Sequence, residues 1–184
     1  MLIVPVRGQS VHSFNSGMNC YGVWRLPDTS TRPYRAGAGD DSYYQPVISS
    51  PSYTNNGDGT TTDNVTGLVW VSNSGAVAYT WANALSYCTA TSAGNMNYGS
   101  GYAGKTDWRL PNVRELMSIV DYGAANAPYI NTTAFPSTQS SGYWTSTTYS
   151  MPTTAAWSVS FNSGTVVGYN KTGSLYVRCV RGGP

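Results

Sequence analysis

The segment KTDWRLPNVRELMSIVDYG, residues 105–123, constrains the fold most, because it encodes a helix with chemical signals at both ends. Asn112 and Glu115 stand at N-cap and N3 spacing, so each side chain can accept the other's free backbone amide, worth about 1 kcal/mol. Val113, Leu116, Ile119 and Val120 recur as one apolar stripe, and Gly123 is placed to give a left-handed C-terminal cap. The same segment holds six of the chain's eighteen charged residues. Asp107, Arg109, Arg114, Glu115 and Asp121 surround the helix start and its flanking loop. They are expected to act as a clamp, with carboxylates complementing the helix dipole and Arg forks tying loop carbonyls to a sheet.

Around this helix the chain is rich in Tyr, Ser, Thr, Asn and Gly, a composition that favours strands and turns over helices. Residues 51–184 are expected to form the main domain. Residues 1–50, with RLPDTSTRPYRAGAGDDSYYQP, read as an irregular arm or linker. FNSG at 14–17 and 161–164, and VRG at 6–8 and 180–182, leave open that the arm starts with the end of an upstream module.

Gly57-Asp58-Gly59 between Thr-rich flanks predicts a hairpin turn leading to a buried strand, LVWV. Asn55, Asp58 and Asp63 could alternatively ligate calcium, although an EF-hand's spacing and its bidentate Glu are missing. YTWANALSYCTA predicts a short helix capped by Thr80, with Trp81, Leu85 and Cys88 on its buried face. After Phe135 come short strands, GYWTSTTY, AAWSVSFNSG, TVVGYN and LYVRCVRG, with turns at Asn162-Ser163-Gly164 and Lys171-Thr172-Gly173. Trp157, Val159 and Phe161 alternate with Ser158, Ser160 and Asn162, which predicts one buried and one wet face. Trp144 and Trp157 are assigned to the core.

Several function classes are disfavoured. A formal charge of +2 provides no dense basic face for nucleic acid. The opening MLIVPV is too short for a signal peptide or a membrane span, so no membrane insertion is expected, and export would proceed without a Sec-type leader. No CxxC occurs and His12 is the only histidine, so no metal site or cofactor is expected. From Tyr122 to Pro184 there is no His, Asp or Glu, so acid–base catalysis lacks a proton carrier and the chain is not expected to be an enzyme.

The pieces GDGTTTDNVTGLVW, WANALSYC, DWRLPNVRELMSIVD, YWTSTTY, AWSVSFNSGTV and YVRCVRGG together resemble the Lcl C-terminal domain family, the C-terminal module of collagen-like bacterial adhesins. That resemblance covers residues 51–183. It implies an α+β, C-type-lectin-like fold: two helices, then a twisted antiparallel sheet, with the first and last strands adjacent. It also implies a disulfide between Cys88 and Cys179, worth on the order of 4 kcal/mol and requiring an oxidising environment. The alternative is two buried thiols; Cys20 is left unpaired. The module would then lie outside the cell, at a cell surface or on a virion. Related domains are diversified by retroelements in their C-terminal strands, so this chain could be such a variable protein.

The C-terminal half lacks the carboxylates that hold calcium in classical C-type lectins, which disfavours metal-mediated sugar binding. It offers Tyr143, Tyr149, Tyr169 and Tyr176 among Ser, Thr and Asn, a mixture that in antibody loops supplies contact area at low entropic cost. The same residues are also good strand formers. The candidate ligand-binding residues are Tyr149, Ser158, Asn162, Tyr169, Asn170, Lys171 and Ser174. The expected partner is a protein or glycan on a target surface. Two alternatives remain: an anionic polysaccharide drawn to Lys171, Arg178 and Arg181, and a homo-oligomeric assembly module.

Overall fold

The computed structural model describes residues 51–182. The arm, with His12, Cys20 and the first copies of FNSG and VRG, lies outside the described residues. Among the described residues, two helices and two antiparallel sheets make up a mixed α+β architecture.

The first sheet has the order β1-β2-β3-β7, from β1 (Tyr53–Asn55), β2 (Thr60–Asp63), β3 (Val69–Val71) and β7 (Val180–Arg181). The last strand joins the N-terminal sheet but pairs with β3, Val69 facing Arg181 and Trp70 facing Val180, whereas β1, expected beside it, lies at the opposite edge. The β1–β2 connection is the predicted hairpin. Asn55 Oδ1 accepts the Gly57 N–H, and Asp58 Oδ1 accepts both the Thr60 N–H and its hydroxyl. Asp63 accepts the Val65 N–H and the Thr66 hydroxyl. The three residues weighed as calcium ligands thus spend these oxygens on their own turns.

Helix α1 (Trp81–Thr89) buries Ala84 and Cys88. Thr80 takes the N-cap backbone position, but its side chain makes no capping bond, and Trp81 and Leu85 are only half-buried. Cys88 is buried as predicted, with Ala84 one turn before it, and Trp81 and Leu85 pack against the edge of the same cluster. Helix α2 (Val113–Met117) has the capping box as predicted: Glu115 N–H donates to Asn112 Oδ1 at 2.9 Å and Asn112 N–H to Glu115 Oε2 at 2.8 Å. It ends at Ser118, earlier than expected. Ile119 and Val120 are buried beyond it, and the Gly123 N–H closes a turn onto Asp121 Oδ1 instead of capping the helix.

The second sheet, order β4-β5-β6, comprises β4 (Gly142–Thr148), β5 (Ala155–Ser160) and β6 (Val166–Asn170). The piece LYVRCVRG is a strand only at its end. Leu175 exchanges bonds with Tyr79, Tyr176 with Gly142 and Trp144, and the Val71 N–H donates to the Cys179 carbonyl. This piece threads between the sheets, which is why Val177, Arg178, Cys179 and Val180 are all buried without alternation.

Two apolar clusters flank it. One gathers Leu68, Trp70, Leu116, Ile119, Phe135, Tyr143, Val159 and Phe161; the other gathers Ala84, Cys88, Trp108, Leu110, Trp144, Ala156 and Val177. The Cys88–Cys179 disulfide lies inside the second, joining α1 to the threading segment across 91 residues.

Candidate functional site

The charged segment is a clamp. Arg109 grips Glu115 through two bonds, at 2.7 and 2.8 Å, and its Nη2 also donates to the Gly182 carbonyl at 3.0 Å. Arg109 and Val180 exchange backbone bonds as well. Arg181 donates to Asp107 at 2.7 Å, and that bond holds the Asp107 carboxyl below the usual carboxylate range. The helix start is thereby tied to the last strand. Arg114 is exposed and Asp121 serves its own turn.

The clamp leaves free the end of the second sheet where the β4–β5 hairpin tip meets the turn after β6. Lys171 bridges the two: its N–H donates to the Thr154 carbonyl and its Nζ to Thr148 Oγ1 at 3.1 Å. The Lys171 ammonium stands 4.1 Å from the centre of the Trp81 ring, a cation–π contact at the start of α1. Tyr169 is 43% exposed and meets Trp144 edge-on at 5.7 Å. Its ring lies over Gly173, where a Cβ would collide with it. Tyr149 packs on Trp157 at 4.6 Å and across Gly168, where a Cβ would come within 2.9 Å of the ring. Because Gly168 and Tyr169 point to opposite sides of β6, the two tyrosines occupy opposite faces of the sheet.

Of the seven predicted binding residues, Tyr149, Tyr169, Asn170, Lys171 and Ser174 come together around this end. Asn170 and Ser174 are exposed, and Asn170 Oδ1 shapes the turn by accepting the Thr172 N–H and hydroxyl. Asn162 is exposed too, but it sits in the β5–β6 turn at the far end of the sheet, accepting the Ser140 hydroxyl.

Ser158 is a correction. Expected to face outward, it is 2% exposed and donates its hydroxyl to the Val167 carbonyl. It lies in the central strand on the face that carries Ala156 and Trp144, so both faces of β5 are covered there. Trp157, expected in the core, is only half-buried and forms the floor under Tyr149.

The basic half is corrected as well. Arg178 is 1% exposed: its Nη1 donates to the Val71 and Ser72 carbonyls, both at 2.6 Å, and its Nη2 to the Thr138 hydroxyl at 2.7 Å. Phe135 lies 4.9 Å beneath it. Burial lowers its pKa to about 10, opposed by the Tyr143 phenol, so it stays a cation at neutral pH. With Arg178 interior and Arg181 engaged by Asp107, Lys171 is left as the cation of the site. Two further residues of this end were missed: Trp81, assigned to a buried stripe and half-buried beneath Lys171, and Met151 at the hairpin tip, 81% exposed. An exposed Met between Ser150 and Pro152 was the signal for the second.

The sequence of residues 59–181 matches the Lcl C-terminal domain. The chain belongs to that family. No curated protein matches it. That family carries no defined catalytic role.

Proposed function

We propose that this Lcl C-terminal domain has a C-type-lectin-like fold and works as a non-enzymatic recognition module, binding a protein or glycan on a target surface. The observation that carries this reading is the hairpin-tip end of the second sheet. There Tyr149, Tyr169, Asn170, Lys171 and Ser174 stand partly or fully exposed on a frame fixed by a disulfide, a buried Arg and an ion-pair clamp. Phenols and amides held on rigid strands lose little entropy on binding, which suits contact recognition.

The anionic polysaccharide reading is weaker, because it loses two of its three cations, Arg178 to the interior and Arg181 to Asp107. The disulfide fits an oxidising compartment, and the domain is assigned outside the cell, on a cell surface or virion. Sibling copies differing only between residues 143 and 176 would add diversification to this role.

The test is binding to glycan and protein arrays with and without chelator. The proposal expects capture that survives chelator and is lost in the Tyr149→Ala/Lys171→Ala variant. Capture abolished by chelator, or turnover of a hydrolase or transferase substrate, would overturn it.

A further inference from the structure

β6 forms one edge of its sheet, pairing with β5 and with no other strand among the described residues. The Ser160 N–H donates to the Thr165 carbonyl, and the Lys171 N–H to the Thr154 carbonyl. These two bonds bracket β6 and set its parity. Odd-numbered residues turn their backbone groups toward β5, and Val166, Gly168 and Asn170 turn theirs outward. Of that outward set, the Asn170 carbonyl accepts a turn bond from the Gly173 N–H and keeps one lone pair for a second donor.

Edge strands are ordinarily protected by charge, proline or a bulge. The sequence VVGYN has neither charge nor proline, and its pairing with β5 runs in unbroken register. It exposes two large apolar side chains, Val167 at 46% and Tyr169 at 43%.

We propose that two copies of this chain join β6 to β6 in an antiparallel pair centred on Gly168, fusing their sheets into one. The strand is complementary to itself in that register. Val166, Gly168 and Asn170 then face Asn170, Gly168 and Val166 of the second copy, so the outward backbone groups meet as hydrogen-bonded pairs. Val167 faces Tyr169 of the second copy at the closer, non-hydrogen-bonded position, a β-branched–aromatic pair of the kind that stabilises sheets. A shift by two residues in either direction shortens the overlap, and one of those shifts sets Val167 against Lys171. In the centred register the two Lys171 side chains stand at opposite ends, about 20 Å apart along the strands, so their charges do not oppose each other closely.

Pairing takes up the edge and the side of Tyr169 that meets Val167 of the second copy, and it leaves open Tyr149 on the opposite face and Lys171 and Ser174 beyond the strand. The dimer would therefore present two copies of the recognition end on one rigid sheet, and a repetitive surface would be held bivalently.

The test is sedimentation velocity on the full chain over a concentration series, comparing wild type with two charge variants. Wild type should rise from 19.7 kDa toward twice that mass. Val167→Lys/Tyr169→Lys and Val167→Glu/Tyr169→Glu should each stay monomeric, since like charges would face each other across the pair. An equimolar mixture of the two should recover the dimer, because each Lys would meet a Glu. Circular dichroism checks that both variants are folded; if Tyr169 proves necessary for folding, Val167→Lys alone should weaken association at least tenfold. Wild type that stays at 19.7 kDa at about 1 mM, the weak end of specific association, overturns the proposal. So do variants that dimerise alone, or a folded mixture that stays monomeric.

Discussion

Replacing the buried Arg178 with Met should destabilise the domain severely. Met matches the length of the aliphatic stem and leaves no charge, so it isolates what the guanidinium does. Wild-type Arg178 satisfies the Val71 and Ser72 carbonyls at 2.6 Å and the Thr138 hydroxyl at 2.7 Å. Each of the two carbonyls left without this donor costs about 1–3 kcal/mol. Against that, the variant no longer buries a cation lacking a carboxylate partner, which returns part of the loss. A net destabilisation of about 3 kcal/mol follows, a large fraction of the 5–15 kcal/mol that holds a typical domain together. In urea, at a slope of about 2 kcal/mol/M, the midpoint should fall by about 1.5 M with the slope unchanged. Arg178→Lys should fall between the two, since one ammonium cannot reach both the consecutive Val71 and Ser72 carbonyls and the Thr138 hydroxyl on a separate segment. A Met variant as stable as wild type, or more so, would refute the reasoning by showing that desolvation cancels the bonds.

Removing the disulfide with Cys88→Ala/Cys179→Ala should cost about 4–5 kcal/mol from loop closure over 91 residues, measured by chemical denaturation; an unchanged midpoint would contradict it. The Asp107 carboxyl, held down chiefly by its Arg181 bond, contributes stability that is present above the unfolded carboxylate pKa and lost as pH falls through the lower folded value. Carboxyl NMR should show Asp107 titrating below the ordinary range, and Arg181→Ala should move it upward; no movement would remove Arg181 as the cause. Gly168→Ala should push the Tyr149 ring off Trp157, seen as changed ring-current shifts of the Tyr149 protons, because a Cβ there stands 2.9 Å from that ring. Unchanged shifts would mean that the ring accommodates the methyl.

The elements set by local chemistry were the most legible. The Asn112–Glu115 box and the Gly57–Gly59 hairpin both rest on bonds among residues within a few positions, and both formed as read. The length of α2 was less so, because Ile119 and Val120 satisfy an apolar stripe equally well in the irregular segment that follows it. Ser158 and Arg178 were misplaced for one reason. Their partners, the Val167 carbonyl and the Val71 and Ser72 carbonyls, are backbone atoms that carry no sequence signature. Alternation along a strand says which residues share a face, but not whether both faces are covered. β5 is the central strand of its sheet, with Ala156 and Ser158 buried on one face and Val159 on the other. The candidate site was legible in its C-terminal part, where polar residues occupy the turn after β6. Its aromatic floor was not, since Trp81 and Trp157 look like core residues in a sequence.

The most direct measurement prints wild type and the Tyr149→Ala/Tyr169→Ala/Lys171→Ala variant side by side on the same protein and glycan arrays, each first checked for the Cys88–Cys179 bridge. If the braced sheet end is the recognition surface, the variant should lose at least tenfold in affinity for every feature that wild type captures, with or without chelator. Equal capture by an intact, folded variant would contradict the account.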